Sequence, residues 1–254
     1  MRTEFRSAAG SLEEFAIDRQ MPASRQVYED LRAKILSLKL EPGEGLSRPN
    51  LADSYGISQT PVRDAFMRLQ QDGLVEIFPQ SGTMVTRIDV DHARQTQFLR
   101  TSIELEVMRT LCLNPDKHGL AKAQQIIAQQ RLVLVEQGSL ASFSLLDGSF
   151  HKTLFMTIRY PELWELIVRR SGHLDRLRNL NLPDPGKAPD ILAGHEEIMA
   201  ALISSDVAEA ERALREHLSG TLNAVEQIRE RYPHYFLMAD FDAPPSVNGF
   251  PATS

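Results

Sequence analysis

The apolar pattern of this chain changes its period once, near Ile88 to Asp91, and that change divides it into two units of different architecture. Before it, short helical stretches alternate with breaker residues and two strand-like runs. After it, only long helical periods occur. With 254 residues, 42% of them hydrophobic and 24% charged, the chain has enough apolar material for two ordinary cores.

From Ser24 onward, Val27, Leu31, Ile35 and Leu38 recur at helical spacing until Glu41-Pro42-Gly43 stops them. Ser47 is placed to cap a second, short helix that carries Leu51, Ala52 and Tyr55 and ends at Gly56. Ser58 caps a third, with Pro61 in its first turn and Val62, Ala65, Phe66 and Leu69 facing inward, which ends at Gly73. Leu74 to Phe78 and Thr83 to Thr86 are rich in β-branched and aromatic residues, and Pro79-Gln80-Ser81-Gly82 joins them, which predicts a hairpin. Three helices and a hairpin make a winged helix. The helices flanking the tight turn Tyr55-Gly56-Ile57 are the pair that reads DNA, the second entering the major groove by its N-terminal end. The expected fold is mainly α: a winged helix-turn-helix over 23–88, then an all-α antiparallel helical bundle over 89–232, with a flexible arm at 1–22 and a flexible tail at 233–254.

The net charge of −6 argues against a nonspecific polyanion-binding surface. DNA affinity then has to come from the placement of Arg25, Arg32, Lys34, Lys39, Arg48, Arg63, Arg68 and Arg87. The lone Cys112, in the apolar run Val107 to Leu113, cannot form an internal disulfide and fits a small core residue. No apolar stretch reaches the roughly 18 residues a membrane span needs, and Met1 to Gln20 mixes Arg with Glu and Asp in place of an apolar signal core. A cytoplasmic protein with no membrane partner is expected.

Chemistry concentrates in the second unit. A helix from Leu140 to about Arg159 turns Leu140, Phe143, Leu146, Phe150, Leu154 and Ile158 inward, and Asp147 and His151, four residues apart, fall in the same arc. His195 lies among Ile191, Ile198, Met199 and Leu202 on a later helix. His217 sits at the edge of the stripe Val207, Ala210, Leu214, Leu218, Val225 and Ile228 on a last helix capped by Asp206. A single inward-facing histidine is more often a hydrogen-bonded core residue than a ligand. One carboxylate and three imidazoles aimed into apolar surroundings need a common partner, and this donor set suits a divalent transition metal (Zn, Ni, Mn or Fe) with one or two positions left open. His92, His118 and His234 are expected to be solvated, and Trp164 to be a core or interface residue.

The stretches "LEPGEGL" and "LADSYGISQTPVRDAFMRLQQDGLVEIFPQSGTMV" resemble the DNA-binding domain of the GntR family of bacterial regulators. "LRTSIELE", "LLDGSFHKTLF" and "HEEIMAALISSDVAEAERALREHL" resemble the FCD effector domain of its FadR subfamily. The resemblance implies that Arg63 contacts DNA, that Ser58, Gln59 and Thr60 reach bases or phosphates, and that Gly82 forms the wing tip. The sequence departs from the family at Gln59, where Arg is common, and at Pro49, where some members carry a DNA-contacting Arg that here is Arg48, one residue earlier. Arg favours guanine and Gln favours adenine, so an A·T preference is expected if Gln59 reaches a base; the other reading is a phosphate or solvent contact.

The same resemblance implies a metal at Asp147, His151, His195 and His217 and an effector-binding Arg100, with Arg176 and His173 as lesser candidates ahead of a loop from Pro183 to Pro189. On the residues alone, Arg100 reads equally as an exposed arginine paired with Glu104 at i+4. The implied function is a homodimeric repressor on a palindromic double-stranded DNA operator, released by a small carboxylate such as a sugar acid, hydroxy acid or dicarboxylate. The competing reading is a metal-dependent enzyme acting on a small acid, with an appended DNA-binding domain and Glu196 as its base. The expectation is that the chain is not an enzyme.

Overall fold

The computed structural model describes residues 17–18, 20–79 and 82–237. Most of the expected arm, the tail beyond 237 and the hairpin residues Gln80 and Ser81 lie outside them.

The first unit contains α1 (Ala23–Leu36), β1 (Gly45–Leu46), α2 (Arg48–Tyr55), α3 (Gln59–Gln71), β2 (Val75–Phe78) and β3 (Gly82–Val85). Ser47 caps α2 by accepting the Asn50 N–H, Pro49 occupies the first turn where its missing N–H costs nothing, and Gly56 closes the helix at φ 63°. Val27, Leu31, Ile35, Val62, Ala65, Leu69, Leu74 and Val85 are all buried in one core. Each large apolar side chain taken from water there contributes about 1.5–3 kcal/mol. The sheet has one strand more than the expected hairpin, because β1 pairs with β3 through Gly45↔Met84 and Leu46↔Thr83, giving the antiparallel order β1-β3-β2. Two residues are too short to carry a periodic signal.

The second unit is helical: α4 (Val90–Leu113), α5 (Lys117–Val135), α6 (Leu140–Thr157), α7 (Pro161–Arg170), α8 (Gly172–Asn181), α9 (Lys187–Ser204), α10 (Val207–Asn223) and α11 (Val225–Arg231). Asp89, Asp116, Ser139 and Asp206 cap α4, α5, α6 and α10 by accepting first-turn N–H groups. Phe143, Phe150, Leu154, Ile198, Leu202, Leu214 and Leu111 fill the core between them, with Trp164 packed at its edge and Cys112 buried as a thiol. No helix among the described residues is long and apolar enough to cross a membrane.

Three departures from the sequence reading matter. The expected last helix is two, broken at Ala224 (φ −93°, ψ 0°). The loop after α8 is shorter than expected, since α9 begins at Lys187 and Pro189 sits in its first turn. The chain beyond 232 is not frayed as far as it is described: Pro233–Tyr235 form a 3-10 turn, and Phe236 pairs in parallel with Ile88. Tyr235 and Phe236 close a third core at the junction of the two units, with Ile88, Val90, Leu174, Leu177 and Ile228.

Candidate metal and effector site

Helices α6, α9 and α10 bring Asp147, His151, His195 and His217 together, one donor atom from each lying within 4.8 Å of the others. Asp147, His151 and His195 are buried and His217 is half-buried. Their surroundings fix which atoms face the centre. His151 Nδ1 lies 2.7 Å from Glu104 Oε2, and Glu104 Oε1 accepts from Arg100 Nε at 2.5 Å. An ionised carboxylate can only accept, so His151 Nδ1 carries a proton, and its Nε2 faces His217 Nε2, 3.1 Å away. His195 Nδ1 donates to Gln130 Oε1 at 2.8 Å, which leaves its Nε2 lone pair 3.5 Å from Asp147 Oδ1. Arg178 donates to the other Asp147 oxygen.

Electrostatics follow from this packing. Burial works to raise the Glu104 carboxyl, but Arg100 and His151 outweigh it and hold it at about 2. Burial likewise opposes the Asp147 charge, yet Arg178 and the imidazoles keep that carboxyl well below the usual range. Burial pushes His195 down to about 3 against the pull of Asp147, and His217 also falls well below its ordinary value, through burial and the neighbouring imidazoles. The centre thus holds an ionised Asp147 beside the neutral imidazoles of His195 and His217, with Asp147 Oδ1 and His195 Nε2 buried and lacking a hydrogen-bond partner among the described residues. Buried polar atoms left unpaired are costly unless a cation joins them. The residues fit a divalent ion, and Glu104 and Gln130 are the outer partners that orient ligating imidazoles. Replacing Gln130 with Leu is expected to lower metal affinity about 10–100-fold, measured by competition with a chromophoric chelator; unchanged affinity would remove Gln130 from this role.

Asp147 and His217 form part of the wall of a cavity of about 340 Å³, together with Gln97, Arg100, Asn181 and Lys187. Arg100 is paired with Glu104 but is not exposed as the second reading had it: it is only 4% exposed, and its Nη2 has no hydrogen-bond partner among the described residues. Gly194 also lines the cavity, and a Cβ there would stand 2.8 Å from His217 Nδ1, so only glycine lets α9 approach so closely.

Other expected site residues lie elsewhere. Arg176 is not in the cavity: fully buried, it donates to Thr86 O at 2.5 Å and to Gly172 O at 3.1 Å at the junction of the units. His173 is there too, accepting the Asp89 N–H at Nδ1, and the His92 ring, half-buried and not solvated as expected, lies 4.8 Å from it. Glu196 is half-buried and bonded to Arg131 at 2.5 Å, away from any role as a base beside the ligands. Sequence reasoning missed Gln130, Arg178 and Lys187, and met Glu104 only as the i+4 partner of Arg100.

In the first unit, Arg48, Ser58, Gln59, Thr60, Arg63 and Gly82 are all exposed. Arg48 Nε donates to Gln59 Oε1 at 3.2 Å, which sets the starts of α2 and α3 side by side. Ser58 is exposed at the N-cap position of α3 and its side chain makes no cap bond to its own helix, which leaves the first-turn N–H groups without a side-chain cap from it.

A winged helix-turn-helix joined to a helical unit with a polar cavity defines a ligand-responsive transcription regulator. The chain belongs to the GntR family of regulators: residues 23–85 match the family described as bacterial regulatory proteins, gntR family, and residues 96–220 match the FCD domain. It is 36% identical over 216 residues to an HTH-type transcriptional regulator in an unstable DNA locus of Streptomyces ambofaciens, covering 84% of this chain and 89% of that one. It is 30% identical to the HTH-type transcriptional repressor RspR of Escherichia coli K12, covering 85% and 94%. The solved structure of E. coli McbR/YncC superposes with a TM-score of 0.69 over 84% of this chain and 99% of that one, at 20% identity, a likeness of fold. The N-terminal domain binds DNA and the FCD domain takes a small-molecule effector; these domains and relatives are regulators and not enzymes.

Proposed function

We propose that this chain is a cytoplasmic, homodimeric repressor that leaves a palindromic operator when a small carboxylate binds beside a divalent metal held by Asp147, His151, His195 and His217. The observation that carries this reading is the occurrence of unpartnered buried atoms at Asp147 and His195 together with an unpartnered Arg100 Nη2, Asp147 and Arg100 lining one cavity. A divalent ion would supply a Lewis-acidic seat for the carboxylate, and Arg100 would neutralise it from the other side.

The outer part of the cavity favours one kind of acid. Arg178 is matched by Asp147, and Glu197 and Glu216 by Arg212, which leaves Lys187 and Asp190, one turn apart on α9, without an ion pair within 4 Å among the described residues. A second carboxylate would meet attraction and repulsion together, whereas a hydroxyl can accept from the lysine and donate to the aspartate. A hydroxy or sugar acid suits this better than a dicarboxylate.

A thermal-shift series on Zn2+-loaded protein with gluconate, lactate and succinate tests it, because a ligand that binds only the folded state raises Tm. Gluconate is expected to give the largest rise, abolished by Arg100→Met; no rise with any acid, or a rise indifferent to Arg100, would sink the proposal. For the DNA face, selection from randomised duplexes with the native protein and with Gln59→Arg is expected to exchange A·T for G·C at one position of each half-site. Identical selected sites would confine Gln59 to the backbone.

A further inference from the structure

Helix α8 faces two ways. Towards the cavity it sends Arg178, which holds Asp147, and Asn181, which lines the wall. Towards the DNA-binding unit it sends Arg176 to Thr86 O at 2.5 Å and Asn179 Nδ2 to Leu36 O at 2.7 Å, while His173 takes the Asp89 N–H at 2.9 Å. The approach is close, for a Cβ on Gly172 would stand 2.5 Å from Leu74 Cδ2.

The segment after α11 completes this contact from the other side. Ile88, in the link between the two units, donates its N–H to Tyr235 O at 2.7 Å and accepts the Leu237 N–H at 3.1 Å; Arg87 Nε reaches His234 O at 3.2 Å. Phe236 is 3% exposed and shares its core with Leu174, Leu177 and Leu180 of α8. This clasp lies beyond residue 220, where the match to the FCD domain ends.

We propose that α8 and the clasp Pro233–Leu237 form one relay, in which filling of the metal and effector site moves α8 through Asp147 and Arg178 and thereby changes the grip on Thr86 and Ile88 that orients the DNA-binding unit. The proposal rests on the reading of the four-ligand cluster as a metal site. Close-packed junctions of this kind change arrangement in discrete steps, so a small displacement at Asp147 reaches the linker without being dissipated.

The test uses Zn2+ as the probe and a duplex selected by the native protein. Leu237→Pro removes one clasp hydrogen bond at an exposed position, and Phe236, at φ −101° and ψ 150°, already has the extended backbone a following proline demands. Phe236→Ala removes the core contact instead. In the native protein, Zn2+ loading is expected to change duplex affinity at least fivefold relative to chelator-stripped protein, and to change hydrogen exchange at the Ile88 and Leu237 amides. In both variants the affinity ratio is expected to fall towards one while calorimetric Zn2+ affinity of the free protein stays within about threefold of native. A native ratio retained by a folded Leu237→Pro protein would overturn the relay. So would a native protein that binds Zn2+ with no change in duplex affinity, leaving the metal reading intact. Failure to bind Zn2+ at all would bring down the metal reading and the relay together.

Discussion

Glu104→Ala is expected to lower folding stability by about 3–5 kcal/mol, the usual cost of stripping one partner from a buried ion pair. Glu104 is 1% exposed and carries two obligations, accepting from Arg100 and from His151. Its removal leaves the Arg100 guanidinium, itself 4% exposed, with no counter-charge, and leaves His151 Nδ1 without its acceptor. The imidazole then loses the contact that fixes its tautomer, so metal affinity should fall about 10–100-fold as well. Urea denaturation of metal-stripped protein isolates the first effect, and chelator competition measures the second. Glu104→Gln keeps an oxygen for one partner and is expected to fall between the two in both assays. A Glu104→Ala protein within about 1 kcal/mol of native stability would show that water or rearrangement compensates Arg100.

The second large effect is acid sensitivity of the junction between the units. Burial and the Arg176 guanidinium lower His173 to about 3, with His92 acting in the same direction and Asp89 against it. The unfolded imidazole takes its proton near 6.5 and the folded one only near 3, so between those values the unfolded chain binds more protons. Stability is therefore full above about pH 6.5 and is lost progressively as pH falls towards 3, with a slope approaching about 1.4 kcal/mol per unit. Metal-stripped native protein compared with His173→Gln by denaturation from pH 7 to pH 4 should show the variant's slope reduced by up to one proton. Parallel slopes would mean that His173 is protonated in the fold, with its Asp89 contact rearranged.

Much of this was legible in the sequence, for a definite reason. A helix repeats every 3.6 residues, so Asp147 and His151 announce their inward direction through Phe143, Phe150 and Leu154, and the same holds for His195 and its neighbours. Partners that lie far apart along the chain carry no such signal. Glu104 meets His151 across 47 residues and Gln130 meets His195 across 65, and no periodicity records either. Arg176 illustrates the limit differently. The resemblance offers it as a lesser effector residue, but α8 has the cavity on one side and Thr86 on the other, and the pattern of one helix cannot say which neighbour a buried side chain meets. The break at Ala224 was hidden because alanine is the best helix former, and β1 because it is only two residues long.

The buried bonding of Arg176 bears on any attempt to exchange DNA-reading heads among relatives. A graft cut at residue 85, where the family match of the first domain ends, keeps Thr86 O and Oγ1 on the same side of the seam as the fully buried Arg176 guanidinium they accept from, but severs Leu36 and Leu74 from Asn179 and Gly172. Hybrids built at that point keep the charge satisfied provided the incoming head matches Leu36 and Leu74, while a transplant that also replaces Thr86 would take the hydroxyl acceptor away from Arg176.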